Sequence, residues 1–273
     1  MQQTGDGPIV LIGAGNMGGA MLKGWLDSGV DPSGIVVVDP GGAKALAPLI
    51  AEKGARLETE APQDLTAGIL FLAVKPQIMD DVLPPLKTLV GPQTTVVSVA
   101  AGRTLAYFES LLGPAAMVRA MPNTPAMIGR GVTGAFANAA VDAAARARVD
   151  ALLKVSGPVE WVETEADIDA VTAVSGSGPA YVFYLVECMA EAGRKAGLQA
   201  DLAMRLARET VAGAGELLHR SPDTAATLRQ NVTSPGGTTA AALSVLMAED
   251  GLQPVFDAAI AAARRRAEEL GKA

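Results

Sequence analysis

A chain of 273 residues, 49% hydrophobic and 19% charged, can bury a full core and support two domains, which excludes a disordered polypeptide. The net charge is −7, and the basic cluster Arg264-Arg265-Arg266 shares its helical stretch with Glu268 and Glu269, so a nucleic-acid partner is excluded. One cysteine, Cys188, leaves no internal disulfide or cysteine-rich metal site, and no apolar run approaches a membrane span.

In chain order, Ile9-Val10-Leu11-Ile12 reads as a short buried strand. It stops at Gly13-Ala14-Gly15-Asn16-Met17-Gly18, and helical spacing (Met21, Leu22, Trp25, Leu26) begins at once. In this strand-turn-helix setting, Gly-x-Gly-x-x-Gly predicts dinucleotide binding. Gly13 makes the tight turn, Gly15 lets the backbone approach the pyrophosphate, and Gly18 lets helix and strand pack closely. The open N–H groups and positive end of the helix suit the phosphates.

Ile35-Val36-Val37-Val38-Asp39 reads as a buried parallel strand ending in an acid, about twenty residues beyond the glycine turn. Asp39 either accepts from the adenosine ribose hydroxyls or holds its own turn before Pro40-Gly41-Gly42. A carboxylate there would repel a 2′-phosphate, with Lys44 nearby to soften the effect. A short strand is expected at Ala55 to Leu57 and a clearer one at Ile69 to Val74, ended by Lys75-Pro76. Lys75 lines the cofactor cleft or is a solvated strand-end lysine. Thr95 to Gly102 is a strand running into small residues, and Ala116 to Met121 another, followed by the rigid Pro122-Asn123-Thr124-Pro125. Asn123 holds a cofactor amide or only its own turn. Strand Val132 to Ala137, helix Val141 to Val155 and strand Val159 to Val162 complete the first domain, 1–164.

From Glu165 to the end, 165–273, the pattern is all helix. Ile168 to Val174 is helical, Ser175-Gly176-Ser177-Gly178 breaks it, and Pro179 suits the first turn of the next helix. Ala180 to Val186 is apolar on every face, with Cys188 following as a buried thiol. So few Ala-rich helices cover such a segment poorly, which predicts a homodimer joined through this half. Further helices span about 201–218, 222–230, 238–247 and 252–270, with the lone His219 as a helix-end residue. Mechanisms built on a His pair, a Ser-His-Asp triad or a His-rich metal site are therefore excluded. Gly236-Gly237 followed by Thr238-Thr239 places open N–H groups and hydroxyls at a helix start, with Asn231 and Ser234 alongside. This predicts a carboxylate site, the alternative being a plain capped helix. Met1 to Pro8 is polar and carries no signal-peptide pattern, so a cytoplasmic setting is expected.

Taken together, the chain resembles the pyrroline-5-carboxylate reductase family over nearly its whole length. The resemblance rests on Gly13 to Gly18, Ala73-Val74-Lys75-Pro76, Ser98 to Gly102 and Met121 to Pro125, and most specifically on Ala170-Val171-Thr172, Ser175 to Tyr181 and Asn231 to Thr239. It implies an α/β fold: a Rossmann-type dinucleotide-binding domain followed by an all-helical dimerisation domain, with the active site between them. Dimers would assemble into larger rings, often decamers. The implied activity is NADPH- or NADH-dependent reduction of the cyclic imine 1-pyrroline-5-carboxylate to L-proline. Val74, Lys75 and Ala101 match family positions near the dinucleotide, with Ala73 and Gly13 to Gly18 expected beside them, and Glu165, Asn231, Thr238 and Thr239 match positions at the substrate. Asp39-Pro40-Gly41-Gly42 departs from the Arg- or Ser-containing segment that receives the NADP phosphate in many members, which leaves both dinucleotides open. Thr239 is the expected hydrogen-bonding partner of the ring nitrogen. The rivals are another imine reductase, a hydroxyacid dehydrogenase using Lys195, and a non-catalytic dinucleotide sensor.

Overall fold

Short runs of β-branched and leucine side chains build most of the sheet. The strands are β1 (Ile9–Ile12), β2 (Ile35–Val38), β3 (Arg56–Glu58), β4 (Ile69–Leu72), β5 (Thr95–Ser98), β6 (Ala116–Pro122), β7 (Thr133–Ala137) and β8 (Val159–Trp161). In the computed structural model, which describes residues 7–272, they form one eight-stranded sheet of order β3-β2-β1-β4-β5-β6-β7-β8. Only β6 and β7 pair antiparallel. Every residue of β1, β2, β4 and β5 is buried, as parallel strands covered on both faces must be.

The sheet is accompanied by α1 (Asn16–Asp27), α2 (Ala47–Lys53), α3 (Met79–Val82), α4 (Leu105–Leu112), α5 (Ala143–Leu153) and α6 (Asp167–Val171). Alternation along the strands divides the core in two. Leu11, Val37 and Phe71 pack with Trp25 and Leu152 on one face, while Val10, Leu70 and Val96 pack with Phe108 on the other. Trp25 meets Phe71 edge-on at 5.1 Å and donates to Leu152 O at 2.9 Å, joining α1, the sheet and α5. Thr104 Oγ1 accepts from Tyr107 N–H to cap α4, and Asp142 Oδ1 accepts from Ala145 N–H to cap α5.

Strand order reverses at β1, which lies between β2 and β4. Ile12 is level with Val38 on one side and Leu72 on the other, so the chain leaves all three strands at one height, at Gly13, Asp39 and Ala73. The C-terminal ends of strands at such a reversal are where doubly wound sheets bind ligands, and the arrangement is Rossmann-type.

The chain divides into two compact units, one holding the chain up to Gly176 with the residues from Ala263 onward, the other Ser177–Ala262. The short helix α6 lies in the first of these units. Ile168 is buried there, and Val171 occupies the space over Gly134, where a Cβ would approach its Cγ1 to 2.5 Å. After α6 the backbone widens into a π turn at Thr172–Gly176 in place of a continued helix. Thr172 Oγ1 donates to Ile168 O and Ser175 Oγ to Val171 O, hydroxyl bonds that compete with the helical ladder.

The second unit contains α7 (Gly178–Lys195), α8 (Ala200–Arg220), α9 (Ala225–Asn231), α10 (Thr238–Leu246) and the first half of α11 (Leu252–Lys272). Pro179 sits in the first turn of α7, and His219 in the last turn of α8. Small residues line the α7–α8 seam, with Ala190, Ala203 and Ala207 buried. The remaining apolar surface of α7 is bare: Phe183 is 62% exposed, Tyr184 66%, and Val182, Leu185 and Met189 are exposed with them. Cys188 is exposed with them in the single chain, so burial of its thiol would need the partner-subunit cover expected for this helix. Among the described residues, no helix is long and apolar enough to cross a membrane.

Candidate functional site

The glycine turn has three distinct steric reasons. Gly13 has a φ of 89°, and its N–H donates to Val38 O at 2.9 Å. A Cβ there would lie 2.8 Å from Val74 Cγ1 and 3.1 Å from Ala73 O. On Gly18 a Cβ would strike the Gly13 carbonyl and stand 3.0 Å from Ala73 Cβ, so only glycine lets α1 rest on the strand ends. Gly15 is the opposite case, with nothing within 4 Å of a Cβ built on it. Gly15 and Asn16 are exposed, and the start of α1 has no side-chain cap. Its first N–H groups are thus left to an incoming anion, and the opening fits a pyrophosphate.

Asp39 holds its own turn and also reaches back to the glycine turn. Oδ2 accepts from Ala14 N–H at 2.9 Å, and Oδ1 from Gly41 N–H at 2.8 Å. One oxygen fastens the glycine turn and the other holds the local turn, while each retains acceptor capacity for a hydroxyl. At the neighbouring strand ends, Ala73, Val74 and Ala101 are half-buried, and Lys75 is exposed ahead of the turn Pro76–Ile78. Asn123 bridges segments instead of holding its own turn. Nδ2 donates to Ser175 O at 3.2 Å, and Oδ1 accepts from Val132 N–H at 3.0 Å.

Two arginines unmarked by the motifs organise this unit. Arg103 Nη2 donates to Pro76 O at 3.4 Å, tying the loops after β4 and β5, and its guanidinium lies 4.5 Å from the Tyr107 ring centroid. Tyr107 donates to Asp80 Oδ1 at 2.6 Å, and partial burial with this bond pushes its phenol up to about 12. Arg119, 2% exposed in β6, donates from Nη2 to Asp169 Oδ1 at 3.0 Å and from Nη1 to Glu165 Oε1 at 3.4 Å. Glu165 Oε1 also accepts from Leu105 N–H at 2.7 Å, at the start of α4. Arg119, Glu165 and Asp169 line a cavity of about 330 Å³ together with Thr104, Glu268 and Lys272. A signal was present in the sequence: a lone arginine inside an apolar strand needs buried acids, and Glu165 and Asp169 stand four apart.

In the second unit, Gly236 has a φ of 71° and Gly237 caps α10 in an extended conformation. The donor cluster differs from the one expected. Gly237 N–H is consumed by Ser234 O at 3.0 Å, and the first bond into the helix runs from Ala241 N–H to Gly237 O. The N–H groups without an intrahelical acceptor are therefore those of Thr238, Thr239 and Ala240, one residue further along, and no side chain caps them. Thr239 is half-buried, and Thr238, Ser234 and Asn231 are exposed. Lys195 is exposed on the last turn of α7, 3.7 Å from Glu191 Oε1. Among the described residues, no three His, Cys, Asp or Glu side chains are grouped to hold a metal ion.

Residues 165–270 match the family described as pyrroline-5-carboxylate reductase dimerisation, and residues 8–102 match NADP oxidoreductase coenzyme F420-dependent. A pyrroline-5-carboxylate reductase of Pseudomonas aeruginosa is 41% identical over 97% of this chain and 97% of its own length. One of Pasteurella multocida is 38% identical over 97% and 98%. A solved pyrroline-5-carboxylate reductase of Coxiella burnetii superposes with a TM-score of 0.90 at 36% identity, covering 98% of this chain and all (100%) of that one. A Plasmodium falciparum pyrroline carboxylate reductase with NADP bound reaches 0.77 at 26% identity, over 97% and 98%.

Proposed function

Because the chain belongs to the pyrroline-5-carboxylate reductase family, we infer that it catalyses NAD(P)H-dependent reduction of 1-pyrroline-5-carboxylate to L-proline. The observation that carries this is full-length similarity to such reductases, joined to a glycine turn whose open helix start fits a dinucleotide. When bound, the reduced nicotinamide supplies a hydride to the imine carbon. The chain's own part is placement. N–H groups at Asn16 and Met17 hold the pyrophosphate, and Asp39 takes the ribose hydroxyls. Ala73, Val74, Lys75 and Ala101 line the remainder of the dinucleotide site. Asn123 belongs to the same set through the loop it braces.

For the substrate, the uncapped N–H groups of Thr238, Thr239 and Ala240 take the carboxylate, supported by Asn231, Ser234, Gly236 and Gly237. The Thr239 hydroxyl hydrogen-bonds the ring nitrogen. A hydroxyl is a weak acid, so Thr239 orients the ring or relays a proton from water. The imine arrives in part already protonated, which suits a site without a strong acid. Glu165 contributes through the Arg119 cluster and the start of α4. The exposed apolar face of α7 supports a homodimer joined through the second unit, with dimers assembling into a ring, a decamer included. A cytoplasmic location fits a biosynthetic reductase.

Absorbance at the reduced-nicotinamide band tests the activity. Addition of pyrroline-5-carboxylate to enzyme and reduced dinucleotide is expected to bleach the band. No bleaching with either dinucleotide would refute the assignment.

A further inference from the structure

The two nicotinamide dinucleotides differ only at the adenosine ribose, where NADPH carries a 2′-phosphate. In a sheet of this order, that ribose lies beyond the end of β2. We propose that Asp39 makes this reductase prefer NADH, by fixing a negative charge where the 2′-phosphate would sit. The proposal rests on the dinucleotide reading above.

Asp39 follows the last residue of β2, and its oxygens stand 2.9 Å from Ala14 N and 2.8 Å from Gly41 N. Swinging away from a phosphate would break both bonds, and one of them shapes the turn that receives the pyrophosphate. Each oxygen can still accept from a ribose hydroxyl, which NADH offers at the 2′ position and NADPH does not. The turn beyond is exposed at Pro40 and Gly41 and is fixed by backbone bonding, Gly42 N–H donating to Asp39 O at 2.8 Å. A Cβ on Gly41 would lie 3.1 Å from Asp39 Oδ1, and buried Ala43 sits at a φ of 45°, a left-handed conformation that side chains other than glycine rarely adopt. The cation of this stretch is Lys44, exposed and five residues past Asp39. An ammonium on a mobile solvated stem compensates a pinned carboxylate poorly.

Nicotinamide fluorescence of the purified full chain, titrated with NADH and NADPH and no imine, reads the preference as dissociation constants. NADH is expected to bind at least about tenfold more tightly, a difference of about 1.4 kcal/mol. Asp39→Asn keeps one oxygen for a backbone N–H and removes the charge, so it is expected to tighten NADPH several-fold. If that variant does not fold, titration of the wild type at rising salt replaces it, and the gap is expected to shrink. Equal affinities, tighter NADPH, or a gap insensitive to whichever of these is measured overturns the proposal. Failure to bind either dinucleotide overturns the reading of the glycine turn itself.

Discussion

Arg119 Nη2 and Asp169 Oδ1 stand 3.0 Å apart across 50 residues of chain, the guanidinium on β6 and the carboxylate on α6. With Glu165 on its other nitrogen, this pair fastens α6 and the start of α4 to the sheet. A buried charge left without its partner is costly. Arg119→Met is expected to leave Asp169 without its partner and to lower unfolding stability by about 1–3 kcal/mol. Denaturant titration checks this, and a loss under 1 kcal/mol would show the cluster to be no more than a surface ion pair.

Tyr107 gives a pH window. Its ordinary value of 10.0 is raised to about 12 by partial burial and by donation to Asp80. The protonated phenol is therefore favoured in the folded state. Its contribution is fully present below about 10 and is lost as pH rises through about 12. Chemical denaturation across that range should show wild type losing stability more steeply than Tyr107→Phe. Parallel curves would contradict the bond to Asp80.

The glycine turn predicts two opposite phenotypes. Gly18→Ala meets the Gly13 carbonyl and Ala73 Cβ, so it should depress both Tm and dinucleotide affinity. Gly15→Ala meets nothing within 4 Å in the chain itself, so it should leave Tm nearly unchanged while weakening dinucleotide binding. Thermal melts paired with binding titrations separate the two. A large loss of Tm in Gly15→Ala would be inconsistent with the open approach.

Thr239→Ala is expected to lower kcat/KM by about tenfold to a thousandfold, or about 1.4–4 kcal/mol. Thr239→Ser, which keeps the hydroxyl, should recover most of that. Steady-state kinetics of both variants decides, and unchanged kinetics in Thr239→Ala would remove the hydroxyl from the reaction.

The bare side of α7 predicts association. Phe183→Glu places a charge in the middle of Val182, Tyr184 and Leu185, so light scattering should find a smaller species than the wild type. A wild type that is already monomeric at micromolar concentration would end the dimer proposal.

Much was legible beforehand because it is written in local pattern. Four-residue apolar runs mark β1, β2 and β4, and glycine spacing marks the turn at Gly13 to Gly18. The greasy surround of α7 announced a missing cover, and Cys188 lies exposed on that helix in the single chain. Gly237 N–H drops out of the donors expected at α10 because Ser234 O captures it, a backbone choice that composition does not reveal.

By itself, then, the sequence determined the strand, glycine turn and helix that open the chain and the helical character of the segments after Glu165. Burial periodicity and backbone freedom are properties of neighbours along the chain. Only the tertiary structure decided that Asp39 clasps Ala14, that Arg119 holds Glu165 and Asp169, and that the first unit runs on to Gly176 and takes back the end of α11. Those pairings depend on strand order and register, which bring together groups that no spacing in the sequence relates.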